Sequence, residues 1–132
     1  MIQRIHHINF IVRDLASAIP AWERILNRPI TSRDRLEERG VDIARFDLGQ
    51  TWIVLVQPTR SGTIPAAHLE RYGEGFFLMS LETDSLPDEV RRLGEATFDG
   101  PQRRGLDDWL VRDIGIAEMQ GARVQLVESG GT

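Results

Sequence analysis

The order strand, helix, strand, strand, strand occurs twice along this chain, at an offset of about 70 residues, and neither half is large enough to bury a sheet of its own. Residues 5–12 are rich in β-branched side chains and read as the first strand. Asp14 is a natural N-cap for a helix that places Leu15, Ile19, Trp22, Ile25 and Leu26 on one face, and Asn27 before Pro29 is its stop signal. Pro20 removes an internal hydrogen bond, so this helix either kinks there or begins at Ser17, with the proline in its first turn. Three strand-like runs follow, residues 30–36, 41–48 and 51–57, punctuated by Gly40 and by Gly49-Gln50 as hairpin turns. Residues 59–64 are looser and lead into a short helix at 65–71, opened by Pro65 and ended by Gly73-Glu74-Gly75.

The pattern then restarts. Residues 76–82 read as a strand, 84–93 as a capped helix stopped by Gly94, and 96–102, 109–114 and 123–128 as three more strands. Asp14 corresponds in this reading to Asp84, and residues 53–57 to residues 124–128. The prediction is an α+β domain spanning 1–132: two βαβββ modules, 1–58 and 74–132, joined by a linker with a short helix at 59–73. Together they form one curved eight-stranded mixed sheet with helices on its convex side. The alternative is chance similarity between two amphipathic halves.

Composition removes several function classes. The chain has no cysteine, which excludes disulfides, iron–sulfur clusters and cysteine zinc sites. Its basic residues are all arginine, which excludes a Schiff-base or phosphate-loop lysine. A formal charge of −4, with acidic and basic residues interspersed, does not supply the basic stripe of a nucleic-acid footprint. No apolar run approaches the ~20 residues of a membrane span, and the N-terminus lacks the hydrophobic stretch of a signal peptide. The expectation is a cytoplasmic protein whose partner is a small-molecule ligand or substrate, with no nucleic acid and no membrane.

A sheet with helices on one side leaves its other face for a ligand, and residues two apart on a strand share that face. The repeat pairs His7 with Leu78 on the opening strands and Val54 with Gln125 on the closing ones. Their shared face is expected to carry Asn9, Trp52, Ser80 and Arg123 as well. His6, Gln57 and Glu128 lie out of phase and are expected to point the other way.

The opening strand from Ile5 to Leu15, the doubled βαβββ plan, and Tyr72-Gly73-Glu74-Gly75 before the fifth strand resemble the vicinal oxygen chelate superfamily, also called the glyoxalase and bleomycin-resistance superfamily, and within it the methylmalonyl-CoA epimerases. The resemblance implies a divalent metal held by one side chain from each of the first, fourth, fifth and eighth strands. Carried over, those positions are His7, Val54, Leu78 and Gln125. Valine and leucine have no lone pair to donate, so a four-ligand site cannot form. His7 and Gln125 remain as a remnant that would hold a divalent metal weakly at best, and no other cofactor is expected. Family members commonly pair, which implies a homodimer.

Two uses of the remaining polar residues stay open. In the first, the protein is a metal-independent isomerase, epimerase or lyase acting on a small carbonyl or carboxylate compound. His7 and Asp42 transfer protons, and Arg123, Gln125 and Asn9 hold the oxygens. Asp42 aligns with an acidic position of some epimerases, and burial beside Val54 and Leu78 would raise its pKa; as a plain strand carboxylate it would instead sit exposed beside Arg45 or Arg39. His7 has its own bland role, held by a hydrogen bond to Gln125 or Asn9. In the second use, the protein sequesters a ligand without turnover, on an apolar surface of Val54, Leu78, Trp52 and Trp109. A third role, in assembly only, follows if the ligand positions are degenerate. His68 reads as a solvated surface residue, and residues 103–108 as a charged, solvated loop; in a thioester-binding relative, the resemblance implies instead that Arg103 and Arg104 meet the cofactor's phosphates.

Overall fold

The computed structural model describes residues 1–130. It is an α+β fold with a mixed eight-stranded sheet in the order β2-β3-β4-β1-β5-β8-β7-β6. The chain runs β1 (Ile2–Ile11), α1 (Leu15–Leu26), β2 (Ser32–Leu36), β3 (Val41–Asp47), β4 (Trp52–Pro58), α2 (Ile64–Tyr72), β5 (Gly75–Thr83), α3 (Leu86–Leu93), β6 (Phe98–Arg104), β7 (Leu110–Ile114) and β8 (Val124–Glu128). Two compact units divide it. One is His7–Phe77; the other is Met1–His6 with the chain from Leu78 onward.

In the His7–Phe77 unit, β1 pairs in parallel with β4, and β4, β3 and β2 pair antiparallel. The tight turn at Gly49-Gln50 closes with the Leu48 amide donating to the Thr51 carbonyl at 3.0 Å. Helix α1 covers one face of this sheet. Leu15 and Ile19 are buried against Val12, Ala44, Phe46 and Leu55, with Trp22 and Leu26 packed beside them. Ile25 does not join that face and is 77% exposed. At about 100° per residue it lies roughly 120° around the helix from Ile19, outside the apolar stripe.

Helix α1 begins at Leu15 and runs through Pro20, so neither a start at Ser17 nor an interruption is needed. Asp14 caps it by accepting the Ala16 amide at 3.3 Å. The carbonyl that Pro20 leaves without an amide is that of Ala16, and both residues are exposed, so water can take the place of the missing donor.

In the other unit, β5 pairs in parallel with β8, and β8, β7 and β6 pair antiparallel. Helix α3 packs Leu86, Val90 and Leu93 against Phe98 and Leu126. Its N-cap is Ser85, whose hydroxyl accepts the Asp88 amide at 3.2 Å; Asp84, the expected cap, instead pairs with the Met1 ammonium at 2.6 Å. Asp14 and Ser85 are thus the equivalent caps, at the same spacing that relates Val54 to Gln125. Strand β6 is irregular, its register shifting between Asp99 and Arg103 around Gly100-Pro101, as expected of an edge strand that contains proline.

Candidate functional site

The sheet face opposite the helix carries His7, Asn9, Trp52 and Val54 in one unit and Ser80 and Gln125 in the other. In the His7–Phe77 unit, Ile53 and Leu55 pack on the α1 side, so Trp52, Val54 and Val56 take the other face by alternation. Cross-strand pairing arranges this face in three rungs. His7 lies beside Trp52. Asn9, Val54, Arg45 and Ser32 form the second rung, and Ile11, Val56, Ile43 and Asp34 the third. His7, Val54 and Arg45 are all buried.

Chemically this face is a polar perimeter over an aliphatic floor of Val54, Val56 and Ile43. Arg45 is 6% exposed. Its Nε donates to the Ser32 hydroxyl at 2.9 Å, its Cζ stands 4.7 Å from the centre of the Trp52 ring, and its Nη2 lies 4.0 Å from Asp34 Oδ2. Two buried acceptors on the face, Asn9 Oδ1 and Asp34 Oδ2, have no hydrogen-bond partner.

The equivalent rung of the other unit is Ser80, Gln125 and Asp113. Ser80 is fully buried and donates its hydroxyl to Gln125 Oε1 at 3.0 Å, while Gln125 Nε2 donates to Asp113 Oδ1 at 3.2 Å. Arg103 grips Asp113 through both terminal nitrogens, at 2.7 and 3.3 Å. Gln125 therefore has both ends of its amide engaged. Leu78 is buried, Trp109 is buried with its ring edge-on to His6 at 4.4 Å, and Arg123 is exposed, its backbone carbonyl accepting the Met79 amide.

Two of the out-of-phase residues, Gln57 and Glu128, face the helices and cap them. Gln57 Oε1 accepts the Leu15 amide at 2.7 Å, and Glu128 Oε1 accepts the Leu86 amide at 2.8 Å. Each supplies a partner to a first-turn amide that the helix itself cannot satisfy.

Asp42 requires a correction. It alternates with Ile43 and Arg45 and so shares the face of Ala44 and Phe46, away from Val54. Arg35, rather than Arg39 or Arg45, holds it through Nε and Nη2 at 2.6 and 2.8 Å. Hydrogen bonding from that guanidinium outweighs desolvation, and the carboxyl is held below its ordinary value instead of raised. His68 also departs from expectation, since its ring packs against Tyr72 and Phe77, each at 5.0 Å. Arg103 belongs to the Asp113–Gln125 network rather than to a solvated loop.

Among the described residues, no group of three or more His, Cys, Asp or Glu is placed to hold a metal ion. The donor chemistry agrees. Val54 and Leu78 are aliphatic, and the Gln125 amide is engaged at both ends, so these residues do not fit the family's metal. The sequence reading does not include Arg45, Ser32, Asp113 or Arg103 in the site. Arg45 was within reach of it, because a tight hairpin at Gly49-Gln50 places that residue opposite Val54; the irregular connection between β7 and β8 gives no such guide to Asp113.

Comparison with known proteins places these features. The chain is 24% identical over 131 residues to an uncharacterised protein, YqjC, of Bacillus subtilis strain 168, covering 97% of this chain and 94% of that one. A variant of the Streptomyces coelicolor methylmalonyl-CoA epimerase, in complex with 2-nitronate-propionyl-CoA, superposes with a TM-score of 0.87 at 21% identity, over 98% of this chain and 99% of that one. The Mycobacterium tuberculosis methylmalonyl-CoA epimerase gives 0.86 at 21% identity, over 96% and 88%. At these identities the structural likeness establishes the fold. A family model matches residues 6–111, most of the chain, and with the doubled βαβββ plan it identifies this protein as a member of the glyoxalase/bleomycin resistance protein/dioxygenase superfamily.

Proposed function

We propose that this protein is an isomerase, epimerase or lyase that moves a proton on a small carbonyl or carboxylate compound without a metal. The observation that carries the reading is the environment of Val54. At a position where the family's metal enzymes place a ligand there is an aliphatic floor, yet His7, Asn9 and Trp52 remain on the face around it. An imidazole is the side chain suited to take and return a proton near neutral pH. In this reading His7 transfers the proton, and Asn9 holds a substrate oxygen. In the other unit, the Ser80 hydroxyl and both ends of the Gln125 amide are engaged with each other and with Asp113, so this reading gives them no ligand. Asp42 is left outside the chemistry, because Arg35 lowers its basicity.

Solvent exchange tests this directly. Short 2-oxo acids, 2-hydroxy acids and methylmalonyl-CoA are incubated with the protein in deuterium oxide containing a chelator, and deuterium at the carbon next to the carbonyl is followed by NMR. Exchange on at least one compound, lost in His7→Ala and retained in Asp42→Asn, is the expected pattern. Absence of exchange on every compound, or exchange that requires an added divalent metal, sinks the proposal.

The sequestering alternative draws on the same face, whose floor of Val54, Val56 and Ile43 is apolar and whose edge carries the Trp52 ring. A bound compound recovered unchanged after long incubation with stoichiometric protein would favour it.

A further inference from the structure

We infer that the cavity between the end of β4 and α2, in the His7–Phe77 unit, is a binding site for a free α-amino acid with an aliphatic side chain, Arg13 receiving its carboxylate and Glu70 its ammonium. The site shares no residue with the face around Val54 and stands independently of the function proposed for that face.

Three observations carry it. First, the space is open. A cavity of about 420 Å³, a volume in the range of small-molecule pockets, lies along α2. Ala66, Leu69 and Glu70 line it at the i, i+3, i+4 spacing that puts them on one face of the helix, and Pro58, the last residue of β4, lines it too. Pro58, Ala66 and Leu69 are half-buried and supply an apolar wall. Second, the donors of Arg13 are unspent. Arg60 also lines the cavity, but it gives Nη1 to the Glu37 carbonyl and Nη2 to the Glu38 carbonyl, and it lies so close over Gly40 that a β-carbon there would stand 2.9 Å from Arg60 Cγ. Arg13 is exposed, and its guanidinium has no hydrogen-bond or ion-pair partner among the described residues. Its backbone amide donates to Glu74 Oε2 at 2.9 Å, which ties Arg13 to the turn after α2. Third, a carboxylate stands close by without neutralising it. Arg13 Nη2 lies 3.9 Å from where a β-carbon of Gly73 would be, and Gly73 is three residues, about 4.5 Å of helical rise, beyond Glu70. Glu70 is exposed and likewise has no ion-pair partner among the described residues.

Opposite charges this close together beside an apolar wall are the complement of a carboxylate and an ammonium carried on one carbon, with a hydrocarbon side chain alongside. A guanidinium takes a carboxylate in two parallel hydrogen bonds, and a carboxylate accepts from an ammonium in a charge-assisted one. A simple carboxylate would leave Glu70 unmatched beside a like charge, and a simple amine would do the same at Arg13. Both charges are exposed, so each contact is screened and modest, and the affinity belongs on the order of 1 mM.

Binding can be read without turnover. Leucine, leucinamide, isocaproate and glycine are titrated into the isotopically labelled whole protein and followed by NMR; the last three lack in turn the carboxylate, the ammonium and the hydrocarbon. The expectation is saturable binding of leucine, with shifts at the Leu69 methyls and the Ala66 amide, and binding at least about fivefold weaker for each of the others. Arg13→Gln and Glu70→Gln should each weaken leucine binding by a similar factor, and Arg13→Gln should remove the discrimination against leucinamide. Should either variant fail to fold, the order of the four compounds and the shift map of the unaltered protein still decide the matter. No saturable binding of leucine, another of the compounds binding as tightly, shifts confined to other parts of the molecule, or a folded variant that binds leucine unchanged would each overturn the inference.

Discussion

At Asp42 the guanidinium of Arg35 donates from Nε and Nη2, and the carboxylate gains a partner it lacks in the unfolded chain. Its folded pKa is therefore below its unfolded one. Stability from this pair is fully present above the unfolded carboxylate value, about 3.9, and is lost as pH falls through the lower folded value. Urea midpoints of the native protein and of Arg35→Met should accordingly differ near neutral pH and converge below about pH 4. Gln125 offers a second test. Its amide is oriented by Asp113, so Asp113→Leu leaves Nε2 without an acceptor and Arg103 without its carboxylate. A loss of about 1–3 kcal/mol in urea unfolding is expected, whereas a stability unchanged from the native protein would show the network to be slack. Sequence alone could place Gln125 on the ligand face by alternation. It could not show that the amide was already engaged, because its partners arrive from strands whose register depends on an irregular loop.

Among the elements, the helices were more legible than their ends. The apolar spacing of Leu15, Ile19, Trp22 and Leu26 identifies α1, and the same residues pack in the core. Ile25 and the Ser85 cap depart from the expected pattern at the margins, where one residue of shift changes a helix face or a cap. What completes both helix starts is a strand residue far away in sequence. Gln57→Leu and Glu128→Leu should each cost about 1–2 kcal/mol by chemical denaturation, through the orphaned Leu15 and Leu86 amides. Pro20→Ala should act in the opposite direction and raise stability by about 1–3 kcal/mol, since an alanine amide can reach the Ala16 carbonyl.

For the whole molecule, the repeat is the level at which sequence was most informative. One spacing relates Val54 to Gln125, Gln57 to Glu128, and the cap Asp14 to the cap Ser85, and each pair serves an equivalent place in its own unit. The compact units group Met1–His6 with the residues from Leu78 onward, apart from His7–Phe77. Elemental analysis of gently purified protein should find no stoichiometric manganese, cobalt, nickel or zinc, and adding these ions should leave the melting temperature unmoved. Bound metal in stoichiometric amount would mean that donors other than Val54 and Leu78 complete a site.

Periodicity of two along the strands and the doubled element order were enough to determine the fold class and to decide which residues share a face, because alternation and helix spacing are local geometry written into the chain. The same local rules disqualified Val54 and Leu78 as metal donors, since an aliphatic side chain lacks a lone pair wherever it is placed. Tertiary structure alone decided the pairings: Arg35 with Asp42, Asp113 with Gln125, and Arg45 buried on the Val54 rung against Trp52. Those contacts depend on register between strands distant in sequence and on which cation reaches a carboxylate first, and it is such contacts that set the charge and basicity of the site.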